Sequence, residues 1–362
     1  MPNCNDERNT YPVQESGQTE ATVQKTVCGL NALLENEVRT HRRVGHKNSV
    51  SRFHMLTMSK CLKLSNQLMT GAYRPEKGEP HEVFEPKHRV TIASKYPDRV
   101  PQSSYVTNYY YKEVIPHLSE ANCACMKGRG TDYARKRLKD ILREAEPGDW
   151  CVKADMTGYF ASIVHDFLVQ ELSQFITDSW ALYFFKLIVE NTRNPVGLDL
   201  GSEVYQLSAT SYMNHLDHKL SDLGGYVRYQ DDLLFVGSKE RCLEALGLIR
   251  TEADRLGLTV SEKKTYLQPI RRPVRFLGYS FLRHETGRVT LKRLPEKVRR
   301  ERRKLKRMKE KGVPTERIDV HYQSVRACMK KGSRSDLMKL DRYYKSLFGG
   351  SSDDKNQKGK CG

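Results

Sequence analysis

The stretch Gly224-Gly225-Tyr226-Val227-Arg228-Tyr229-Gln230-Asp231-Asp232-Leu233-Leu234-Phe235-Val236 sets two carboxylates side by side between two apolar, β-forming runs. That pattern predicts a β-hairpin with Asp231 and Asp232 at or near its turn. Adjacent carboxylates repel and are costly to desolvate, so a hairpin gains no stability from holding them between buried strands. A hard divalent cation reverses that cost, because carboxylate oxygens are the ligands Mg²⁺ prefers. An arbitrary Asp-Asp pair is most often a solvated loop. Here the apolar flanks weigh against that, and so does a third carboxylate, Asp155. It ends the β-like run Trp150-Cys151-Val152-Lys153-Ala154, 76 positions before Asp231. One Asp at a strand end and a pair on a hairpin can converge on two metal ions, the arrangement that clamps both oxygens of an in-line phosphoryl transfer.

Charge points to the substrate class. The chain of 362 residues carries 62 Lys and Arg against 44 Asp and Glu, a net +18, which calls for a polyanionic partner. Nucleic acid is favoured over a membrane surface, since no basic amphipathic anchor and no long apolar run is present. The opening Met1-Pro2-Asn3-Cys4-Asn5-Asp6-Glu7 is polar and does not read as a signal peptide. Nine cysteines are scattered, with Cys123 and Cys125 as a lone C-x-C, so a zinc site is not expected. Reduced thiols in a cytoplasm are the expectation.

Tyr229-x-Asp231-Asp232 on a hairpin, preceded by Asp155-x-x-x-Tyr159-Phe160, resembles the palm of reverse transcriptases. It looks like the branch that contains group II intron, retron and diversity-generating retroelement enzymes, and bacterial or phage coding is the implied setting. The resemblance covers roughly residues 85 to 345. Leu200-Gly201-Ser202-x-x-x-Gln206 is similar to the aliphatic-Gly-Ser-x-x-Ser-Gln motif of the diversity-generating enzymes, with Tyr205 where that motif has Ser. Most reverse transcriptases have Gln where this chain has Leu200. Losing that amide removes a polar reader near the nucleotide, and low fidelity is the implication.

The resemblance implies an α+β fold, a right-hand polymerase with fingers, palm and thumb whose palm is an antiparallel sheet packed on helices. It implies a metal site at Asp155, Met156, Asp231 and Asp232 holding two Mg²⁺, with Mn²⁺ as a possible substitute. It implies dNTP contacts from Arg89, Lys87 and Lys95, with Phe160 as the aromatic gate against a 2′-hydroxyl, and Leu200, Gln206 and Lys264 around the nucleotide. Primer and template contacts fall to Tyr229, to Phe276, Leu277, Gly278 and Tyr279 of a primer-grip hairpin, and to Arg299 and Arg303. An RNA template, a DNA or RNA primer and dNTPs are the implied partners, joined by a small basic accessory protein if the diversity-generating subtype holds. A group II intron-like or antiphage reverse transcriptase is the alternative subtype. A non-catalytic RNA-binding protein on a polymerase scaffold is the alternative of another class.

Along the chain, residues 1–25 read as a disordered arm, 26–148 as N-terminal helices and fingers, and 149–290 as palm with primer grip. Residues 291–348 read as a basic helical thumb and 349–362 as a disordered tail. Helices are predicted over 27–44, 52–69, 101–118, 132–145 and 239–256. The tyrosines of 101–118 are expected in core packing rather than as base-stacking platforms, and His165 at the surface or as a cap. Between Lys292 and Lys311 stand 12 Lys or Arg and 3 acids, a net +9 and half of the chain's excess. A helix so charged, with a thin seam of Val298, Leu305 and Met308, is expected to track a nucleic-acid backbone, with affinity falling steeply as salt rises.

Overall fold

The computed structural model describes residues 20–349 apart from 43, 85–87, 192–194, 200, 331 and 333, and describes the backbone alone at 20, 21 and 89. The predicted arm and tail therefore lie largely outside the described residues, as do Lys87 and Leu200. The chain divides into two compact units, one of residues 1–118 and 158–213, the other of residues 119–157 and 214–362.

The first unit is mainly helical. Helices Glu20–Cys28 and Leu30–His41 replace the single helix predicted over 27–44, broken at Gly29. The helix predicted over 52–69 is likewise two, Asn48–Met55 and Thr57–Met69. The tyrosine-rich helix starts at Tyr96 rather than Pro101, because Pro97 already supplies the fixed φ that suits a first turn. Tyr105, Tyr109 and Tyr110 are buried, as the core reading expected. The unit's strands, β1 (Glu79–Val83) and β2 (Arg89–Ala93), form an antiparallel hairpin.

The second unit is built on a four-stranded sheet of β3 (Trp150–Asp155), β4 (Gly225–Tyr229), β5 (Asp232–Gly237) and β6 (Tyr266–Pro269), in the order β4-β5-β3-β6 with every pair antiparallel. Side chains alternate between its faces. Cys151, Val227, Leu234 and Val236 face a core shared with Ala134, Leu138 and Leu142 of helix Thr131–Glu144. That core also takes Phe276, Tyr279 and Phe281 from a second sheet, β7 (Val274–Phe276), β8 (Tyr279–Arg283) and β9 (Val289–Arg293). The opposite face packs on helices Asn214–Leu223 and Lys239–Arg255. Helices Pro295–Glu310, Thr315–Lys330 and Arg334–Phe348 close around Leu305, Ile318, Tyr322, Met329 and Leu340. The middle one was not anticipated, although Ile318, Tyr322, Val325 and Met329 recur at helical spacing. Among the described residues no helix is long and apolar enough to cross a membrane.

Candidate active site

The register of the second unit's sheet brings the carboxylates together. Asp155, the last residue of β3, lies directly opposite Asp232, the first residue of β5. Directly opposed residues of an antiparallel pair project from the same face about 4.5–5.5 Å apart at Cβ. Tyr229 closes the β4–β5 ladder against the same Asp232, so Gln230 and Asp231 form a two-residue turn. Gln230 adopts φ +56°, the left-handed region that a non-glycine residue enters at a cost, and such residues cluster at functional sites. The carbonyl of Asp231 accepts from the Met156 N–H at 3.2 Å, which ties the turn to the end of β3.

Two lysines complete the group. Lys153 shares the Asp155 face two positions earlier on β3. Its Nζ lies 3.0 Å from Asp232 Oδ1 and donates to the Arg275 carbonyl at 3.0 Å. Lys264 arrives on the segment that runs along the other side of β3, held by Thr157 N to Thr259 O at 2.8 Å and Ser261 N to Asp155 O at 2.8 Å. Its Nζ donates to Asp155 Oδ1 at 2.6 Å. That hydrogen bond holds the lysine above its ordinary range. Burial pushes the Asp232 carboxyl up to about 6, against the pull of Lys153 and with the repulsion of Asp231 and Asp155.

Among the described residues no group of three or more His, Cys, Asp or Glu side chains stands at metal-ligating spacing. The lysines supply positive charge in this arrangement instead. The donors nonetheless suit a hard divalent cation: three carboxylates at the end of two adjacent strands, one of them, Asp232, disfavoured as an anion by its burial. Lys264, with its side chain 61% exposed, can leave Asp155.

The other predicted site residues fall in both units. Phe276 and Tyr279 are buried, so only Leu277 and Gly278 form the tip of the β7–β8 hairpin. Both have positive φ, +47° and +80°, as a two-residue I′ turn demands, and Gly278 meets that demand without strain. Tyr229 is half-buried against the sheet's core. Arg299 and Arg303, one turn apart, are exposed on helix Pro295–Glu310. In the first unit Lys95 is ion-paired with Glu79. Phe160 is half-buried and its carbonyl accepts from Leu198 N at 2.7 Å, which sets it beside the turn entering helix Glu203–Tyr212. Gln206 is half-buried on that helix. A Cβ on Gly201 would meet Ile92 O at 2.6 Å and Ala93 Cα at 2.7 Å, so only glycine lets this turn lie against β2. There a polar cavity of about 390 Å³ is lined by Arg39, Arg42, Arg99, Gln102, Ser202 and Glu203 among others. His165 is buried, contrary to expectation, and its Nε2 lies 2.8 Å from the Gly197 carbonyl.

Sequence reasoning missed Lys153 on the carboxylate face and the buried ion pair of Arg228 on β4 with Asp217 on helix Asn214–Leu223. The available signals were a lysine and an arginine inside otherwise apolar strands, positions at which an unpaired charge is costly.

The profile of the reverse transcriptase (RNA-dependent DNA polymerase) family matches residues 89–281. That is more than half of the chain, and the protein belongs to this family and has its fold of helices and antiparallel sheets. Members of the family generally use divalent metals. The chain is similar to the solved structure of apo telomerase from Candida tropicalis, at 10% identity and TM-score 0.43, over 67% of this chain and 53% of that one. It is also similar to telomerase from Candida albicans in complex with the TWJ fragment of telomeric RNA, at 12% identity and TM-score 0.44, over 81% of this chain and 65% of that one. The chain thus spans between 53% and 65% of the length of these structures. No curated protein matches it.

Proposed function

We propose that the chain is an RNA-directed DNA polymerase that extends a primer with dNTPs by a two-metal mechanism, with residues 26–148 serving as N-terminal helices and fingers, 149–290 as palm and 291–348 as thumb. The observation that carries this reading is the register that sets Asp155 opposite Asp232 with Asp231 in the adjoining turn. Asp155 and Asp231, with the backbone at Met156, would hold the two ions, and Asp232 would assist one of them or orient a ligand. Mg²⁺, or Mn²⁺ in its place, supplies charge neutralisation of the attacking and leaving oxygens.

The chain's own groups do the rest. Lys87, Arg89 and Lys95 grip the triphosphate as charge-assisted donors. Phe160 packs under the sugar and excludes a 2′-hydroxyl, so deoxynucleotides are selected. Lys264 carries a proton on Nζ beside Asp155 and hands it to the departing pyrophosphate. Leu200 and Gln206 border the nucleotide; the aliphatic Leu200 supports a low-fidelity, diversity-generating subtype, which brings with it a small basic accessory protein. Tyr229, Leu277 and Gly278 contact the primer terminus, with Phe276 and Tyr279 anchoring that hairpin. Arg299 and Arg303 follow the template–primer backbone on a helix with a large cationic excess.

Primer extension tests the reading. Purified full-length chain is expected to extend oligo(dT) on poly(rA) with dTTP and Mg²⁺. The Asp231→Ala variant should lose at least about 10³-fold in rate, the scale of several kcal/mol of transition-state stabilisation. Undiminished extension by Asp231→Ala would remove the metal assignment. A chain that binds poly(rA) yet never extends would be an RNA-binding protein on a polymerase scaffold.

A further inference from the structure

Arg228 is the largest side chain fully shielded from solvent, and it sits one residue before Tyr229 of the catalytic hairpin. With Tyr226 it projects from the face of β4 that packs on helix Asn214–Leu223, opposite the face that carries the carboxylates. Its Nε donates to Asp217 Oδ1 at 2.6 Å and its NH2 to Asp217 Oδ2 at 2.5 Å; both side chains are 0% exposed. Tyr226 Oη donates to the same Asp217 Oδ1 at 3.0 Å. The backbone of Arg228 is fixed as well, its N–H donating to Ala121 O at 2.8 Å and its carbonyl accepting from Cys123 N at 2.9 Å.

If the pair served stability alone, the guanidinium would have no reason to reach further. A buried ion pair is often no more stabilising than a well-packed apolar pair of the same volume. A further contact leads toward the site: Arg228 NH1 donates to the carbonyl of Gln230 at 3.0 Å. Gln230 holds the left-handed conformation of the two-residue turn, and the next residue is Asp231. One rigid planar fork therefore joins a helix to the backbone on which Asp231 hangs, and no other side-chain type offers that geometry.

We propose that Arg228, clamped by Asp217, is a positioning residue that fixes the Gln230–Asp231 turn and thereby the Asp231 carboxylate. This deepens the polymerase reading and rests on it. Arg228→Lys keeps the charge and can keep the Asp217 pair, but one ammonium cannot also present a fork to the Gln230 carbonyl. Folded Arg228→Lys is expected to bind template–primer in EDTA as the native chain does. Its kcat should fall about 10²-fold, the loss that a misplacement near 1 Å produces. Two readouts are independent of turnover. Mn²⁺ affinity by calorimetry on the substrate-free protein should drop severalfold, and amide exchange at residues 230–232 should quicken while that of β3 stays slow.

Unchanged kcat, Mn²⁺ affinity and turn exchange in folded Arg228→Lys would overturn the proposal. So would a kcat loss matched by an equal loss of template–primer affinity with Mn²⁺ binding intact, the mark of a merely structural role. Should Arg228→Lys not fold, Asp217→Glu, which keeps both buried charges paired and moves the guanidinium by about one methylene, decides by the same measurements. If the native chain itself never extends a primer, the polymerase reading fails. Mn²⁺ affinity and turn exchange would still judge the positioning role.

Discussion

Two antiparallel hairpins in this molecule have near-equal strand length and opposite character. In β1–β2 every residue of β1 is exposed, and Val83, Phe84 and Val90 stand in solvent at 40%, 67% and 58%. In β4–β5 the central residues of both strands are buried and the one arginine is sealed into an ion pair. The first is held by its ladder, by the Gly201 turn that lies against β2, and by an exposed ion pair between Lys95 and Glu79. The second is held by a core on one face, helices on the other, and fixed contacts at its turn. Chemistry that needs carboxylates fixed to a fraction of an ångström belongs on the second kind of hairpin. Local opening is cheaper on the first, because little apolar area is buried there.

The largest break in that comparison comes from the cores. Leu234 of β5 is 0% exposed, between Val227 and the Lys153 position of its neighbours. Leu234→Ala should lower stability by about 2–5 kcal/mol through lost burial and a residual cavity. Val90→Ala on β2 should stay within about 0.5 kcal/mol. Denaturant unfolding of both variants measures this, and equal losses would mean that β1–β2 is as firmly held as β4–β5.

Next in size is a pH effect confined to the carboxylate cluster. The Asp232 carboxyl titrates near 6, above its unfolded value, with burial as the main cause. The folded state therefore binds this proton more tightly than the unfolded chain does, and ionising Asp232 costs stability as pH rises through 6. In EDTA the native chain should lose about 1–3 kcal/mol from this group between pH 4 and pH 7. Asp232→Asn mimics the protonated form and keeps an oxygen for Lys153. Thermal melts in EDTA should show it more stable than native at pH 8, with the gap closing toward pH 4. A variant less stable than native at pH 8 would mean that the Lys153 attraction outweighs burial. Among the described residues β1–β2 carries no buried carboxylate, so burial adds no such pH effect there.

Much of this contrast was legible in the sequence. The apolar runs around Asp231-Asp232 announced the buried hairpin, the strand ending at Asp155 was visible, and the resemblance implied a hairpin at Phe276 to Tyr279. What could not be read was what the interior charges pair with. Lys153 and Arg228 interrupt apolar strands, and a single sequence gives the interruption without the partner. Asp217, the partner of Arg228, sits on helix Asn214–Leu223, which was not predicted because its apolar positions are sparse. Register was equally hidden: the pairing of Asp155 with Asp232 rather than Asp231 depends on a one-residue choice that periodicity leaves open.

The smallest effect sharpens the comparison at its exposed end. Lys95 follows β2 and pairs with Glu79 across the hairpin. An exposed pair of this kind contributes little to stability, and Lys95→Ala should leave the melting temperature where it was. If Lys95 exchanges Glu79 for a triphosphate, the same variant should raise KM for dTTP severalfold while kcat is kept, because a contact equal in ground and transition states is lost. Steady-state primer extension at varied dTTP separates the outcomes. Unchanged KM would leave Lys95 with Glu79 as its only role and pass the grip to Arg89 and Lys87. A fall in kcat at saturating dTTP would instead mean that the exposed hairpin, like the buried one, fixes geometry in the transition state.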